Sequence, residues 1–214
     1  MIVHCGVDEA GKGAVLGPMV VAAVGCGSLE DFANLGVRDS KKLTPARREA
    51  LFGKIEERFT TAVRIIEAVD IDRMRTMMTM NALVARLHAE VINYLGPETA
   101  YVDACDVNAW RYGRTVESQL DRQCRVVSEH HADEHFPVVS AASIVAKVTR
   151  DREVARLAEE YGVIGTGYPT DPETIAYLTS YIDAQGHSPP IARESWKTVA
   201  HLVFLKEQSH ITDF

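Results

Sequence analysis

Residues 6–18 read GVDEAGKGAVLGP, a glycine-rich loop between two apolar segments. The spacing of its glycines and lysine is close to the phosphate-binding pattern G-x-x-x-x-G-K-[ST], but Gly13 stands where that pattern requires serine or threonine. Two adjacent acids, Asp8 and Glu9, lie inside the loop and would repel a phosphate. We therefore interpret the acids as ligands of a cation, and the glycines as positions where the backbone approaches a ligand closely.

The loop is flanked by two predicted strands, residues 1–8 and 18–26, and so short a connection favours a hairpin. Further strands are predicted at 60–69, 99–103 and 124–128, and helices at 45–58, 71–95, 107–120, 137–161, 172–185 and 194–207. Strands come first, strands alternate with helices next, and helices alone end the chain. This order predicts an α/β protein with a mixed sheet covered by helices and a helical C-terminal part.

The composition is that of a globular protein, with 46% hydrophobic and 25% charged residues among 214. The net charge of -7 does not indicate a strongly basic nucleic-acid-binding protein, although it leaves room for a local basic patch. The chain has no apolar run of membrane-spanning length, no signal-peptide core and no C-x-x-C pair among its four cysteines. We expect a monomeric cytoplasmic protein that does not associate with a membrane.

Carboxylates recur at the ends of predicted strands. Asp8 ends the first strand with Glu9 beside it, Asp103 ends the strand at 99–103, and Asp133 follows a later strand. Neighbouring strand ends in an α/β sheet converge on one crevice, where clustered carboxylates favour a hard divalent cation such as Mg²⁺ or Mn²⁺. Two ions about 3.5–4 Å apart would hold a phosphodiester for in-line attack by water. For any single acid, a solvated surface position is the alternative interpretation.

Other stretches allow two interpretations. The basic cluster RDSKK at 38–42 is either a solvated helix entrance or a phosphate-positioning segment. Tyr168, in the loop GTGYPTD, either packs over the core or offers an aromatic face to a sugar or base. The stretch SEHHADEH at 128–135 places His131 and His135 at i,i+4 spacing, but it lacks an H-E-x-x-H motif or a nearby cysteine and is a poor zinc site.

Six motifs, taken in order, resemble those of the ribonuclease HII family (type 2 ribonuclease H), most closely its archaeal branch. They are GVDEAGKGAVLGPMVVAAV, DSKKLT, VDACDVN, EHHADEHFPVVSAASIVAKVTRD, GTGYPTDPET and ESWKTV, and they extend from residue 3 to about residue 199. The resemblance implies an RNase H-like fold, a five-stranded mixed sheet flanked by helices. It also implies a catalytic domain at 1–165 and a C-terminal helical part at 166–214 packed on it.

The same resemblance implies an endonuclease, dependent on Mg²⁺ or Mn²⁺, that cuts RNA in RNA/DNA hybrids and ribonucleotides embedded in duplex DNA. Such enzymes leave 3′-hydroxyl and 5′-phosphate ends. The catalytic, metal-binding acids of the family match Asp8, Glu9, Asp103 and Asp133. Asp8 and Asp103 are expected to hold or bridge two metal ions. Glu9 and Asp133 are expected to complete one site each.

Positions expected to contact substrate match Gly11, Lys12, Gly13, Ser40, Lys41, Lys42, Asn81, Lys147 and Tyr168. By resemblance, the backbone of Gly11-Lys12-Gly13 contacts the 2′-hydroxyl of the ribonucleotide, and Tyr168 stacks on the sugar that follows. His131 departs from the family pattern, in which lysine is expected, and a histidine there would carry a charge that depends on pH.

Alternatives to this function and its partners stay open. The first alternative is another metal-dependent nuclease of the same fold, which would cut DNA. The second is a non-catalytic nucleic-acid-binding module, which would have lost some of the four acids. The third is a P-loop hydrolase, which would need serine or threonine at Gly13. The stretch FLKEQSHITDF at 204–214 ends in a hydrophobic-acidic-aromatic pattern compatible with binding a sliding clamp. A frayed helix end is the simpler interpretation of that stretch.

Overall fold

The computed structural model of the chain describes residues 1–37 and 43–211. The strands β1 (His4–Ala10), β2 (Met19–Cys26), β3 (Thr60–Ile66), β4 (Thr99–Asp103) and β5 (Arg125–Glu129) form one sheet in the order β3-β2-β1-β4-β5. Strand β1 is antiparallel to β2 and parallel to β4, and β4 is parallel to β5. The prediction of a five-stranded mixed sheet is confirmed.

The helices follow most of the predicted ranges. They are α1 (Pro45–Arg58), α2 (Ala68–Arg75), α3 (Met80–Leu95), α4 (Ala109–Glu117), α5 (Ala132–His135), α6 (Pro137–Tyr161), α7 (Pro172–Gln185) and α8 (Lys197–Ile211), and a 3₁₀ turn covers Leu29–Phe32. Helix α1 begins as its Thr-Pro pair predicts, since Thr44 accepts a hydrogen bond from the N–H of Arg47 and Pro45 is the first helical residue. Among the described residues, none of these helices combines the length and apolarity needed to cross a membrane.

The single helix predicted over 71–95 is wrong, because the structure has two helices separated by a turn. Thr76 ends α2, and the side-chain oxygen of Thr79 accepts a hydrogen bond from the N–H of Ala82 and begins α3. Apolar residues occur on both sides of the break, so composition does not reveal it, whereas the threonine cap does. The break places Asn81 in the first turn of α3.

Contacts divide the chain into two compact units, of which the first contains the whole of the sheet except Met19 and Ile66. This unit comprises Met1–Ala10, Val20–Ile65 and Thr79–Thr149. Buried side chains of β2, α1 and the first part of α6 share one apolar core, while α3 packs on β1 and α4 on β5. Gly6 lets α6 lie directly on β1, because a Cβ at this position would be 2.3 Å from the carbonyl carbon of Val138.

The second unit comprises Gly11–Met19, Ile66–Met78 and the chain from Arg150 onward. Its apolar core combines Val15 and Leu16 of the glycine-rich loop with side chains of α6, α7 and α8, among them Leu157, Leu178 and Val199. The loop is therefore packed as part of a folded unit. The division of the chain into a catalytic domain at 1–165 and a helical part at 166–214 stays a prediction.

Candidate active site

Parallel strands β1 and β4 place two of the predicted acids side by side. Val7 pairs with Val102, so the residues that follow them, Asp8 and Asp103, lie at the same level on neighbouring strands. Both acids are at the carboxyl ends of their strands, the edge where ligand sites form in parallel sheets. The predicted convergence of strand ends thus holds for this pair.

Helix α5 brings a third acid to the same edge. The main-chain N–H of Ala132 donates a hydrogen bond of 2.9 Å to Oδ1 of Asp103, and the next residue, Asp133, is 5% exposed. Burial raises the pKa of Asp103, and the hydrogen bond from Ala132 opposes that rise. The negative charges of Glu9 and Asp133 raise it further, because both carboxylates lie close to Asp103.

The two acids of β1 face opposite sides of the sheet, as adjacent strand residues must. Asp8 faces α6, where it is hydrogen-bonded to Ser143 and lies near the ammonium group of Lys147, which itself hydrogen-bonds to Ser143. Glu9 faces α3, where its Oε2 lies 3.2 Å from Nε2 of the fully buried His88. The side chains that contact Asp8 and those that contact Glu9 therefore lie on opposite faces of the sheet.

Asp8 carries a strongly unfavourable charge in the metal-free protein. Burial and the Glu9 carboxylate raise its pKa to about 8, and the charge of Asp103 contributes to the rise. Lys147 and the hydrogen bond from Ser143 oppose it only in part. Four carboxylates that repel each other and offer only oxygen donors fit a hard divalent cation, which would favour their ionised forms.

Histidine lies at the rim of this acid cluster. His131, Asp133 and Glu134 each offer a ligand atom within 4.8 Å of the others, a grouping of the described residues that could hold a metal ion. The backbone of His131 is in the left-handed region, with a φ of 56°, at the start of α5. His135 instead lies 3.0 Å from Glu129, so the two histidines at i,i+4 spacing do not pair around one ion.

The glycine-rich loop of the second unit meets the predicted tyrosine. The main-chain N–H of Gly11 donates a hydrogen bond of 3.1 Å to the hydroxyl of Tyr168, and the guanidinium of Arg150 lies 4.6 Å from the centre of the Tyr168 ring. Gly11 has a φ of +82°, and a Cβ there would lie 2.4 Å from Nε of Arg150. A glycine is therefore required for both conformation and space.

Arg193 fixes the other end of this loop. Its side chain is fully buried and donates hydrogen bonds to the carbonyls of Gly17 (3.0 and 3.2 Å) and Lys12 (3.1 Å). Lys12 is half-buried and Gly13 is exposed, with no atom within 4 Å of a Cβ built on it. Hydrogen bonds thus hold the loop at Gly11, Lys12 and Gly17, while the space around Gly13 is open.

The remaining substrate-side predictions fall in different places. Asn81 lies at the loop that follows β4, where its Oδ1 is 3.9 Å from Sγ of Cys105 and its side chain hydrogen-bonds to Asp106. Lys147 lies beside Asp8, as described above. The segment Ser40, Lys41 and Lys42 is outside the described residues.

Several residues that support the site are not among the sequence predictions. They are His88, Tyr112, Ser143, Arg150 and Arg193. His88 and Ser143 are polar residues on helix faces that are otherwise apolar, a signal that could have identified them. The two arginines give no such signal, because only the folded loop shows which carbonyls and rings they meet.

A mixed five-stranded sheet with carboxylates at the ends of its central parallel strands is the arrangement expected of an RNase H-like, metal-dependent nuclease. The family model described as Ribonuclease HII matches residues 5–199. The ribonuclease HII of Methanoregula boonei is 61% identical over 210 residues, which cover 98% of this chain and 99% of that one. The chain belongs to the ribonuclease HII family of metal-dependent ribonucleases H, and it is an enzyme, an endonuclease of the hydrolase class.

Solved structures agree with this assignment. The ribonuclease H2 of Pyrococcus horikoshii superimposes with a TM-score of 0.90 at 38% identity, covering 96% of this chain and 99% of that one. The ribonuclease HII of Archaeoglobus fulgidus, solved in a complex with PCNA, gives a TM-score of 0.87 at 44% identity over 94% and 96% of the two chains. The predicted RNase H-like fold is confirmed.

Proposed function

We propose that this enzyme hydrolyses the RNA strand of RNA/DNA hybrids and cuts at ribonucleotides embedded in duplex DNA, leaving 3′-hydroxyl and 5′-phosphate ends. The observation that carries the proposal is the register of β1 and β4, which sets Asp8 level with Asp103 beside a buried Asp133. A cluster of this kind suits hydrolysis of a phosphodiester, a reaction in which negative charge accumulates on both the attacking and the leaving oxygen.

The four acids would hold two divalent ions, Mg²⁺ or Mn²⁺. Asp8 and Asp103, level on adjacent strands, would serve both ions, and Glu9 and Asp133 would each complete one site. The bound ions would supply a water of lowered pKa as the nucleophile and stabilise the leaving 3′-oxygen. The protein's own contribution is to fix the carboxylates before substrate arrives, through Ser143 and Lys147 at Asp8 and through Ala132 at Asp103.

Recognition of ribose is assigned to Gly11, Lys12, Gly13 and Tyr168. Gly11 follows Glu9 by two residues in the chain, so the loop begins where the metal-binding strand ends. The Tyr168 hydroxyl accepts a hydrogen bond from Gly11, which fixes its position, and its ring offers a face to the sugar after the ribonucleotide. A site built to hydrogen-bond a 2′-hydroxyl discriminates strongly against deoxyribose, because its own polar groups would stay unpaired.

Contacts with the phosphates are assigned to Asn81, Lys147 and the segment Ser40, Lys41 and Lys42. Asn81 is half-buried in the first turn of α3, beside the loop that follows Asp103, where an amide could reach a phosphate oxygen. Lys147 has a second effect, since its ammonium group lowers the pKa of Asp8 and so favours the ionised carboxylate.

We also assign this enzyme a sliding-clamp partner, with a monomeric state and a cytoplasmic location. The support is the relative from Archaeoglobus fulgidus, which was solved with PCNA, together with the hydrophobic-acidic-aromatic end of this chain. Truncation of residues 208–214 is expected to abolish capture by the clamp, and equal capture of the full and shortened proteins would reject this tail.

A pair of labelled duplexes tests the catalytic proposal. One contains a single ribonucleotide and the other is its all-DNA twin, and cut sites and end groups are mapped in Mg²⁺ and Mn²⁺. Cleavage of the first alone is expected, and similar rates on both would instead favour a DNA nuclease of the same fold. Asp103→Asn is expected to remove activity, so an unchanged kcat in Mg²⁺ would overturn the metal-site assignment.

A further inference from the structure

His88 is a buried imidazole whose two ring nitrogens both have partners. It lies on α3 with no exposed surface. Its Nε2 is 3.2 Å from Oε2 of Glu9, and its Nδ1 is 3.0 Å from the hydroxyl of Tyr112, which lies on α4 and is 2% exposed. Glu9, His88 and Tyr112 thus form a continuous hydrogen-bonded chain, here called the relay, from the sheet through α3 to α4.

Hydrogen-bond chemistry fixes the direction of the bond between Glu9 and His88, and for a neutral imidazole it also fixes the direction of the bond to Tyr112. An ionised carboxylate only accepts, so the nitrogen that faces Glu9 must carry a hydrogen. A neutral imidazole has one N–H, which leaves Nδ1 as an acceptor for the hydroxyl hydrogen of Tyr112. Burial and the neighbouring Cys105 raise the pKa of Tyr112 well above its ordinary value, so this hydroxyl keeps its hydrogen.

We propose that His88 and Tyr112 are positioning residues that hold one oxygen of Glu9 and leave its other oxygen available to bind a metal ion. The proposal rests on the metal-binding role assigned to Glu9 above. A glutamate side chain has three rotatable bonds, and ordering it costs free energy that a bound ion would otherwise have to supply. A hydrogen-bond donor fixed opposite Oε2 orders this side chain during folding, before an ion binds. Groups behind the ligands of metalloproteins orient those ligands in the same way.

Tyr112 selects the tautomer of His88. Without its hydroxyl, the single ring hydrogen is free to occupy Nδ1, and the lone pair of Nε2 would then face the carboxylate of Glu9. Two acceptors at 3.2 Å repel each other, so Glu9 would turn away from its position. The relay therefore predicts an effect of a residue that itself touches neither metal nor substrate.

The first test is Tyr112→Phe, with Tyr177→Phe as a matched control. Tyr177 also has a buried hydroxyl, with no hydrogen-bond partner among the described residues, and it belongs to the other compact unit. Nitrogen-15 NMR of the metal-free protein is expected to show His88 as the Nε2–H tautomer in the parent and control, and as a mixture in Tyr112→Phe. Mn²⁺ affinity, measured by calorimetry, is expected to fall about tenfold in Tyr112→Phe alone.

The second test compares His88→Gln with His88→Leu. The amide nitrogen of glutamine reaches the position of Nε2 and can donate to Glu9, whereas leucine fills the space without a donor. Glutamine is expected to retain most of the Mn²⁺ affinity, and leucine to lose it. Thermal unfolding is measured beside affinity, and equal midpoints show that both variants are folded. Equal affinity in both variants, or an unchanged tautomer in Tyr112→Phe, would overturn the relay.

The two tests separate this inference from the proposed function. The tautomer is measured without metal, so it reports on the relay directly. If the parent protein bound no Mn²⁺, the metal site itself would be overturned, and the relay's assigned role with it. If the parent bound Mn²⁺ and Tyr112→Phe bound it equally well, only the relay would be overturned.

Discussion

The main-chain N–H of Gly11 donates a hydrogen bond of 3.1 Å to the hydroxyl of Tyr168, which lies 157 residues further along the chain. Because the hydroxyl oxygen accepts from Gly11, its own hydrogen can be donated to a different acceptor, and a sugar oxygen of the substrate would suit this role. The cation of Arg150 lies over the same ring at 4.6 Å and restricts its orientation. The glycine-rich loop and Tyr168, both predicted to bind substrate, thus form one preorganised arrangement.

Tyr168→Phe tests this arrangement, since the substitution keeps the aromatic ring and removes the hydroxyl. We expect kcat/KM on a duplex with one ribonucleotide to fall about tenfold, the cost of one lost hydrogen bond in a site that recognises a hydroxyl. Thermal unfolding is measured beside the kinetics, because a change in activity without a change in midpoint indicates recognition. An unchanged kcat/KM would remove Tyr168 from ribose recognition.

Gly11 and Gly13 are expected to differ sharply when each is replaced by alanine. Gly11→Ala combines a φ of +82° with a Cβ 2.4 Å from Nε of Arg150 and 2.8 Å from the carbonyl oxygen of Pro18. We expect it to lower the free energy of unfolding by about 1–3 kcal/mol. Gly13→Ala has open space and is expected to change stability by less than about 0.5 kcal/mol. Chemical denaturation measures both, and equal losses would contradict the packing of this loop.

The contrast between these glycines shows where sequence reasoning ends. The motif marks Gly11 and Gly13 alike, and only the folded loop shows that Arg150 lies against one of them. The strands and the acids at their ends follow from local patterns, because β propensity is encoded nearby in the chain. The order of the strands and the register that sets Asp8 level with Asp103 do not follow from such patterns. The partners of His88 and Arg193 depend on segments far away in sequence, so no local pattern reveals them. The helix break before Asn81 is not predicted, because apolar residues occur on both sides of it.

Arg193→Lys is expected to be destabilising although it conserves charge. The planar guanidinium donates to two carbonyls at once, and a lysine ammonium cannot reproduce that geometry in the same buried space. An unpaired buried carbonyl costs about 1–3 kcal/mol. Arg114→Lys is the control, since Arg114 is exposed and pairs with Glu117 on the surface. Urea unfolding of both variants measures the difference, and similar midpoints would show that Arg193 does not fix the loop.

Binding of Mg²⁺ is expected to release protons below pH 8. The pKa of Asp8 is about 8 in the folded metal-free protein, against an ordinary value of 3.8, so between these values the folded state holds a proton that the unfolded chain has lost. The contribution of Asp8 to stability therefore declines as pH rises from about 4 to about 8. A bound ion requires the ionised form, so its apparent affinity should rise with pH up to about 8 and then level off.

Calorimetry in two buffers of different ionisation enthalpy measures this release. Near pH 6.5 about one proton should leave Asp8 for each protein that binds metal, and Asp103, whose pKa is also raised, adds to that number. At pH 9 the release should nearly vanish, which makes the same protein its own control. Substitution of Lys147 by methionine removes a cation that lowers the pKa of Asp8, so the affinity profile should move to higher pH. A release near zero at pH 6.5 would mean that Asp8 is already ionised without metal, and that the acids do not repel each other as their burial and spacing require.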